Sequence, residues 1–153
     1  MKTLLALITA SITTSIAYSA EIIFSDRRDD DSFKRISEHF GGKENSGRYA
    51  IARTDPNQRD GYYVALKLDA AERPKETASI RIQYVRPASQ DVETQSIPVE
   101  TISKRRVLVG LTDGIWASSE AIPTAWKIDF LDSQGQTLVS SQSFLWSSQP
   151  NEP

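Results

Sequence analysis

The chain has 153 residues, with 18 Lys and Arg side chains against 20 Asp and Glu, so its formal net charge is −2 at neutral pH. Phosphate binding needs a basic face, so this balance argues against a nucleic-acid partner. There is no cysteine and only one histidine, which excludes disulfides and leaves too few ligands for zinc, and we expect no metal and no cofactor.

The first 20 residues are typical of a secretory signal peptide. A basic head precedes a mostly apolar run over residues 3–16, and small residues follow. The run is too short, and too diluted by Ser and Thr, to span a bilayer. Signal peptidase needs small side chains one and three residues before the cut. Ser19 and Ala17 satisfy this for cleavage before Ala20, and Ala17 and Ser15 serve equally well.

A signal peptide of this kind directs the protein out of the cytoplasm. We expect an exported protein, periplasmic or extracellular and of bacterial origin, without stable membrane insertion once the signal peptide (residues 1–20) is removed. The rest of the sequence contains no second long apolar run.

Residues 21–47 form a predicted N-terminal extension. Phe33, Ile36 and Phe40 recur at i, i+3 and i+7, which predicts a short amphipathic helix over about residues 31–40. Asp and Ser at its start can cap the first amides, and Gly41 with Gly42 can end the last turn. A helix this short must pack its apolar stripe on a larger body.

From residue 48 the hydrophobic period changes to two, which predicts a β domain over residues 48–147. Parallel pairing is disfavoured because no crossover helix of adequate length separates any two strands. The fold class is therefore an antiparallel seven-stranded β-sandwich with one short N-terminal helix, followed by a disordered tail at 148–153. The expected strands are 48–54, 62–68, 79–86, 92–98, 105–111, 124–131 and 136–144.

Two of these strands have a clear inner and outer face. In the second, the side of Tyr62 is expected to be buried, and the side of Tyr63 and Ala65 to be mostly solvated. In the sixth, Trp126 has the alternation of a core residue. Residues 132–135 then predict a hairpin loop with Gly135 in the left-handed conformation, so the seventh strand should return beside the sixth.

This arrangement resembles an immunoglobulin-like or fibronectin type III-like sandwich over residues 48–146, without the cysteine pair of antibody domains. Trp126 and the stretch 131–146 (LDSQGQTLVSSQSFLW) resemble the last hairpin of small secreted bacterial proteins that carry no assigned function. The resemblance implies a fold, but it implies no activity and no functional residues.

No catalytic residue is predicted. His39 has no nucleophile setting around it and is interpreted as a half-exposed imidazole near a helix end. Asp55, Asn57 and Asp60 lie close together, but Gly61 comes one place too late for a helix-loop-helix calcium site. We interpret these residues as turn formers.

The candidate binding residues are Trp116 and Asp113, in the long connection 112–123 where the strand pattern lapses. An exposed Trp could stack on a sugar or anchor a protein; alternatively, Trp116 folds back to cover the end of the sandwich. The favoured function is a non-catalytic exported binding or interaction module for an envelope protein or carbohydrate. The alternatives are a carboxylate-dependent hydrolase or enzyme subunit, and a structural envelope component.

Overall fold

The computed structural model describes residues 18–35, 38, 41–42, 44, 46–69 and 76–148. The predicted signal peptide up to residue 17, His39, and the tail beyond residue 148 therefore lie outside the described residues, as do two members of the predicted helical stripe, Ile36 and Phe40. Within the described residues, no helix is both long enough and apolar enough to cross a membrane.

In the described part of the chain, nine strands form a five-stranded sheet of order β1-β9-β8-β5-β6 and a four-stranded sheet of order β2-β4-β7-β3. The strands are β1 (Tyr18–Ser19), β2 (Glu21–Arg28), β3 (Tyr49–Arg53), β4 (Gly61–Lys67), β5 (Ser79–Val85), β6 (Val92–Pro98), β7 (Arg106–Leu111), β8 (Ala125–Leu131) and β9 (Thr137–Gln142). The chain also contains a single-turn helix, α1 (Ile115–Ser118), and two 3-10 turns, Asp30–Ser32 and Phe144–Ser148. Glu38 and Gly41 are helical as well.

The seven strands predicted from the sequence correspond to β3 through β9, and the mainly β fold is confirmed. The prediction of seven antiparallel strands was wrong in two respects, because β1 and β2 are additional and both sheets are mixed. β1 pairs parallel with β9, and β3 pairs parallel with β7. No crossover helix is needed between β3 and β7, since the chain passes through β4, β5 and β6 before it returns.

The sequence signal for β2 was hidden by its position at a sheet edge. Among the described strands, β2 pairs with β4 alone, in the antiparallel direction. Most of its side chains are exposed, so the alternation that marks a half-buried strand is absent. Its charged end at Asp26, Arg27 and Arg28 is common on edge strands, where charge discourages pairing with other chains.

The main core lies between the two sheets. β4 and β7 contribute side chains from one side, and β5 and β8 from the other. Trp126 is 3% exposed in this core, which confirms its predicted inward orientation. The β8–β9 hairpin is confirmed as well, with Gly135 at φ +80° and its amide donating to the carbonyl of Asp132 at 3.1 Å.

A second, smaller core lies on the outer face of the four-stranded sheet. The sequence predicted that this face of β4 would be mostly solvated, but Tyr63 and Ala65 are fully buried. The N-terminal extension covers them: the Phe33 ring lies 4.9 Å from the Tyr63 ring, between centroids. Phe33 follows a 3-10 turn rather than lying in an α-helix, and Asp29 caps that turn by accepting from the Ser32 amide at 2.9 Å.

Arg53 is the polar centre of this outer layer, with a side chain only 6% exposed. Its two terminal nitrogens donate to the Glu44 carboxylate at 2.6 and 2.8 Å, and its Nε donates to the Tyr63 hydroxyl at 2.7 Å. The hydrogen bonds from Arg53 hold the pKa of Glu44 below its ordinary value. Burial raises the pKa of the Tyr63 hydroxyl, which donates to the carbonyl of Arg59 at 2.7 Å.

Candidate functional site

One lateral side of the sandwich is open. β3 ends the four-stranded sheet and β6 ends the five-stranded sheet, and no described strand pairs with the outer edge of either. A groove of about 420 Å³ lies between these two edges. We call it the edge groove. Its apolar floor is made by residues of the core, with polar side chains at the rim; the floor includes Ala50, Ala52, Ile80, Ile97, Ile102 and Val107.

The edge groove exists because the inward side chains of β3 are small. Ala50 and Ala52 face the main core, whereas Tyr49 and Ile51 pack in the outer layer. A methyl group cannot fill the inter-sheet space that a Leu or Ile would occupy, so the two sheet edges stay separated by unfilled volume.

The backbone of β6 offers hydrogen-bonding groups along this opening. The amide of Val99 donates to the carbonyl of Ala78 at 3.1 Å, which sets the phase of the β5–β6 ladder. Alternate residues of an antiparallel strand bond to opposite sides, so the N–H and C=O groups of Thr94 and Ser96 point away from β5. Pro98 has the same phase, and its missing N–H costs no ladder hydrogen bond there.

Asp113, a residue singled out from the sequence, does not line the edge groove but links the two strands that border it. Its Oδ1 accepts from the Thr54 hydroxyl at 2.5 Å, directly after β3. Its Oδ2 accepts from the side-chain amide of Gln95 in β6 at 2.8 Å. Thr54 Oγ1 also accepts from the Thr112 amide at 2.9 Å, which fixes the loop that carries Asp113. The carboxylate is therefore a clamp between the two edge strands.

Of the two placements considered for Trp116, the structure has the one in which the ring folds back onto the sandwich, and not the exposed one. Trp116 lies in α1 with 1% exposure, and its ring contacts Tyr84 edge-on at 5.3 Å between centroids. The Tyr84 hydroxyl in turn accepts from the Gln95 side chain at 3.0 Å. Trp116 thus supports the clamp from the core, and its ring offers no exposed stacking face.

The acidic side chains with shifted pKa values lie outside the edge groove. The pKa of Asp29 is lowered by its hydrogen bonds with Ser32, and the pKa of Asp30 by its hydrogen bond with Lys34. The fully buried Asp129, on the outer face of the five-stranded sheet, accepts from Arg81 at 2.7 Å and from Ser140 at 2.7 Å. These carboxylates are engaged in capping and ion pairing.

Structural hydrogen bonds also occupy the acidic loop before β4. Asp55 Oδ1 forms a local turn by accepting from the Asn57 amide at 2.9 Å, and Asp60 Oδ1 holds the N-terminal extension by accepting from the Asp30 amide at 2.8 Å. Over the described residues, no group of three or more His, Cys, Asp or Glu side chains is arranged to hold a metal ion.

Sequence reasoning did not find the edge groove, although two signals for it are present. Residues 49–52 alternate large and small, which leaves only methyl groups on the inward side. Pro98 at the end of a strand pattern indicates an edge strand. Which two edges would face each other depends on the sheet order, and no local pattern encodes that order.

A comparison with protein-family models, with curated proteins and with solved structures finds no match to this chain.

Proposed function

We propose that this protein is an exported, non-catalytic binding module that takes up an extended polypeptide segment in the edge groove. The segment adds a strand to the free edge of β6 and directs alternate side chains onto the apolar floor. The observation that carries this proposal is that an unfilled apolar groove lies beside a strand edge with which no described strand pairs. The N-terminal signal-peptide pattern supports export, so the partner belongs to the cell envelope or its surroundings.

The backbone of β6 supports strand addition in particular. Thr94 and Ser96 direct their main-chain donors and acceptors toward the free edge, as the phase set by Val99 requires. Their side chains are small and at least partly exposed, so an incoming strand meets no bulky obstacle. Main-chain hydrogen bonds of this kind give affinity, and the pockets beneath give specificity.

The floor favours residues of a certain size in the bound segment. Ala50 and Ala52 leave space opposite Ile97, so a side chain such as Val, Ile or Leu is accommodated between the walls. A strand exposes every second side chain to one face. The preferred segment therefore alternates medium-sized apolar residues with polar ones.

A polypeptide suits the edge groove better than a carbohydrate does. Sugar binding relies on exposed aromatic faces, but none of the described residues that line the edge groove is aromatic. In this proposal the scaffold is a variant of the immunoglobulin-like sandwich, which the two facing sheets and the β8–β9 hairpin support.

The experiment replaces Ser96 with proline. Ser96→Pro removes an N–H that faces the free edge and leaves the β5–β6 ladder intact, so the protein should still fold. The probe is a displayed library of eight-residue peptides with alternating apolar residues, from which binders to the wild-type protein are selected. We expect Ser96→Pro to weaken binding of the selected peptides at least tenfold, since it deletes a main-chain hydrogen bond and obstructs the edge.

Two variants complete the design. Ser96→Ala keeps the N–H and should bind as the wild-type protein does. Ala50→Leu fills the edge groove from β3 and should also abolish binding, although it does not touch β6. Peptides that bind Ser96→Pro and Ala50→Leu as tightly as they bind the wild-type protein would refute strand addition at this site.

A further inference from the structure

A small pocket lies on the outer face of the four-stranded sheet, across β3 from the edge groove. We call it the outer pocket. It measures about 90 Å³, so it admits a single small group rather than a length of chain. Its apolar lining belongs to the second core and includes Phe24, Phe33, Tyr49, Ile51 and Leu108.

Two arginines, Arg28 and Arg35, also line the outer pocket, and no described lining residue is acidic. No described carboxylate lies within 4 Å of the side-chain nitrogens of either arginine. Arg53 in the same outer layer, by contrast, is paired with Glu44 at 2.6 Å. The outer pocket therefore carries positive charge that no described side chain neutralises.

Arg28 presents a buried donor to this region. Its guanidinium carbon lies 4.5 Å from the centre of the Phe24 ring, which precedes it by four residues in β2. Its Nε is buried and has no hydrogen-bond partner among the described residues. Buried polar groups in native proteins are nearly always hydrogen-bonded, and an exception calls for an explanation such as a bound ion. An anion in the outer pocket supplies the acceptor that this donor requires.

Ser46 adds a hydroxyl donor to the lining. Its Oγ accepts from the Lys104 ammonium at 2.8 Å, and two backbone carbonyls hold Lys104 in this position. Because the Ser46 oxygen is engaged as an acceptor, its hydrogen is free to point toward a ligand, and Lys104 adds a further positive charge. Ser32 differs, since its hydroxyl donates to the Asp29 carboxylate at 2.5 Å.

We propose that the outer pocket binds a phosphate monoester. A guanidinium is a planar fork of donors that matches the oxygens of a phosphate group. The monoester has three acceptor oxygens, enough for the two arginines and the Ser46 hydroxyl together, whereas one fork already engages both oxygens of a carboxylate. The apolar lining excludes water and strengthens these interactions. The site lies apart from the edge groove, so the inference does not rest on strand addition.

The test is an NMR titration of the purified, 15N-labelled protein with glycerol phosphate, followed through the side-chain Nε–H of Arg28 and the backbone amide of Ser46. We expect both resonances to shift and to saturate, and acetate at equal ionic strength to bind at least tenfold more weakly. An Arg28 Nε–H that does not shift, or acetate that binds as tightly as glycerol phosphate, would overturn the proposal.

Three variants separate a built site from general attraction by positive charge. Arg35→Met removes one fork, and Arg28→Lys keeps the charge but loses the planar fork, so each should weaken binding at least tenfold. Arg105→Met is the matched control, because Arg105 is exposed and does not line the outer pocket. Its affinity, read from the Ser46 amide as for the other variants, should stay within about twofold of wild type. An equal loss in all three variants would show attraction by net charge alone and would refute the site.

The source of the phosphate is determined with vesicles of phosphatidylcholine that contain phosphatidic acid, a lipid whose head group is a phosphate monoester. Cosedimentation of the wild-type protein that Arg35→Met abolishes and Arg105→Met retains would assign the site to a lipid head group. Binding of glycerol phosphate without cosedimentation would assign it to a soluble ester. A protein that binds neither glycerol phosphate nor these vesicles would contradict the inference.

Discussion

Replacing Gly110 with alanine tests how the outer layer is built. A Cβ at this position in β7 would lie 2.4 Å from Cε1 of Tyr63, on the neighbouring strand β4. Carbon atoms in contact lie about 3.5–4.0 Å apart, so the ring must move by about 1 Å. It has little room, because its hydroxyl is bonded to Arg53 and Arg59 and its face packs on Phe33.

The expected cost follows from these contacts. Overpacking costs about 1–3 kcal/mol, and weakening one hydroxyl hydrogen bond adds about 1 kcal/mol. We therefore expect Gly110→Ala to lower the free energy of unfolding by about 3 kcal/mol and Tm by about 10 °C. The assay is urea unfolding followed by tryptophan fluorescence.

Two controls separate the clash from a general effect of alanine. A Cβ added at Gly41 would meet none of the described atoms within 4 Å, so Gly41→Ala should change stability by less than about 0.5 kcal/mol. In a Tyr63→Ala background the clash is gone, and adding Gly110→Ala should cost less than about 1 kcal/mol. A Gly110→Ala protein within about 0.5 kcal/mol of wild type would refute the reasoning.

Three other substitutions have defined outcomes. Glu44→Gln should cost about 2 kcal/mol near neutral pH, because it leaves the buried Arg53 guanidinium with a weaker acceptor. The pKa of Glu44 is lowered from 4.5 in the folded protein, so this difference should be constant well above pH 4.5 and shrink as the pH falls below it; a gap that persists in acid would contradict the assignment. Ala88 has φ +60°, so Ala88→Gly should raise the free energy of unfolding by about 0.5 kcal/mol and Tm slightly. A lower Tm for this variant would argue against backbone strain at Ala88. Trp126→Ala should cost about 3 kcal/mol or more in urea unfolding, whereas a cost under about 1 kcal/mol would mean that the ring is not a core residue.

Periodicity predicted those strands that have one buried face. β8 is an example, since Trp126 and its alternate neighbours face the core and Lys127 does not. β2 could not be found in this way, because an edge strand with exposed side chains has no reason to alternate. The solvated face assigned to Tyr63 was wrong because Phe33, which packs on it, lies 30 residues away in sequence.

The candidate site illustrates the same limit. Asp113 was singled out from its loop, but its action as a clamp depends on Thr54, which follows β3, and on Gln95 in β6, and these two strands belong to different sheets. Gly110 inside a strand pattern did carry a local signal, because an isolated glycine in a strand often marks a close approach of other groups. The edge groove itself has two causes, the order of the strands in the sheets and the two alanines of β3. The alanines are visible in the sequence, whereas the strand order cannot be read from local patterns.

Amide hydrogen exchange at Thr94 and Ser96, measured by NMR with and without a selected peptide, tests strand addition most directly. Both N–H groups face the free edge of β6, so they should exchange rapidly in the free protein and at least tenfold more slowly when the peptide is bound. Unchanged exchange at these two amides, with protection appearing elsewhere, would contradict binding in the edge groove.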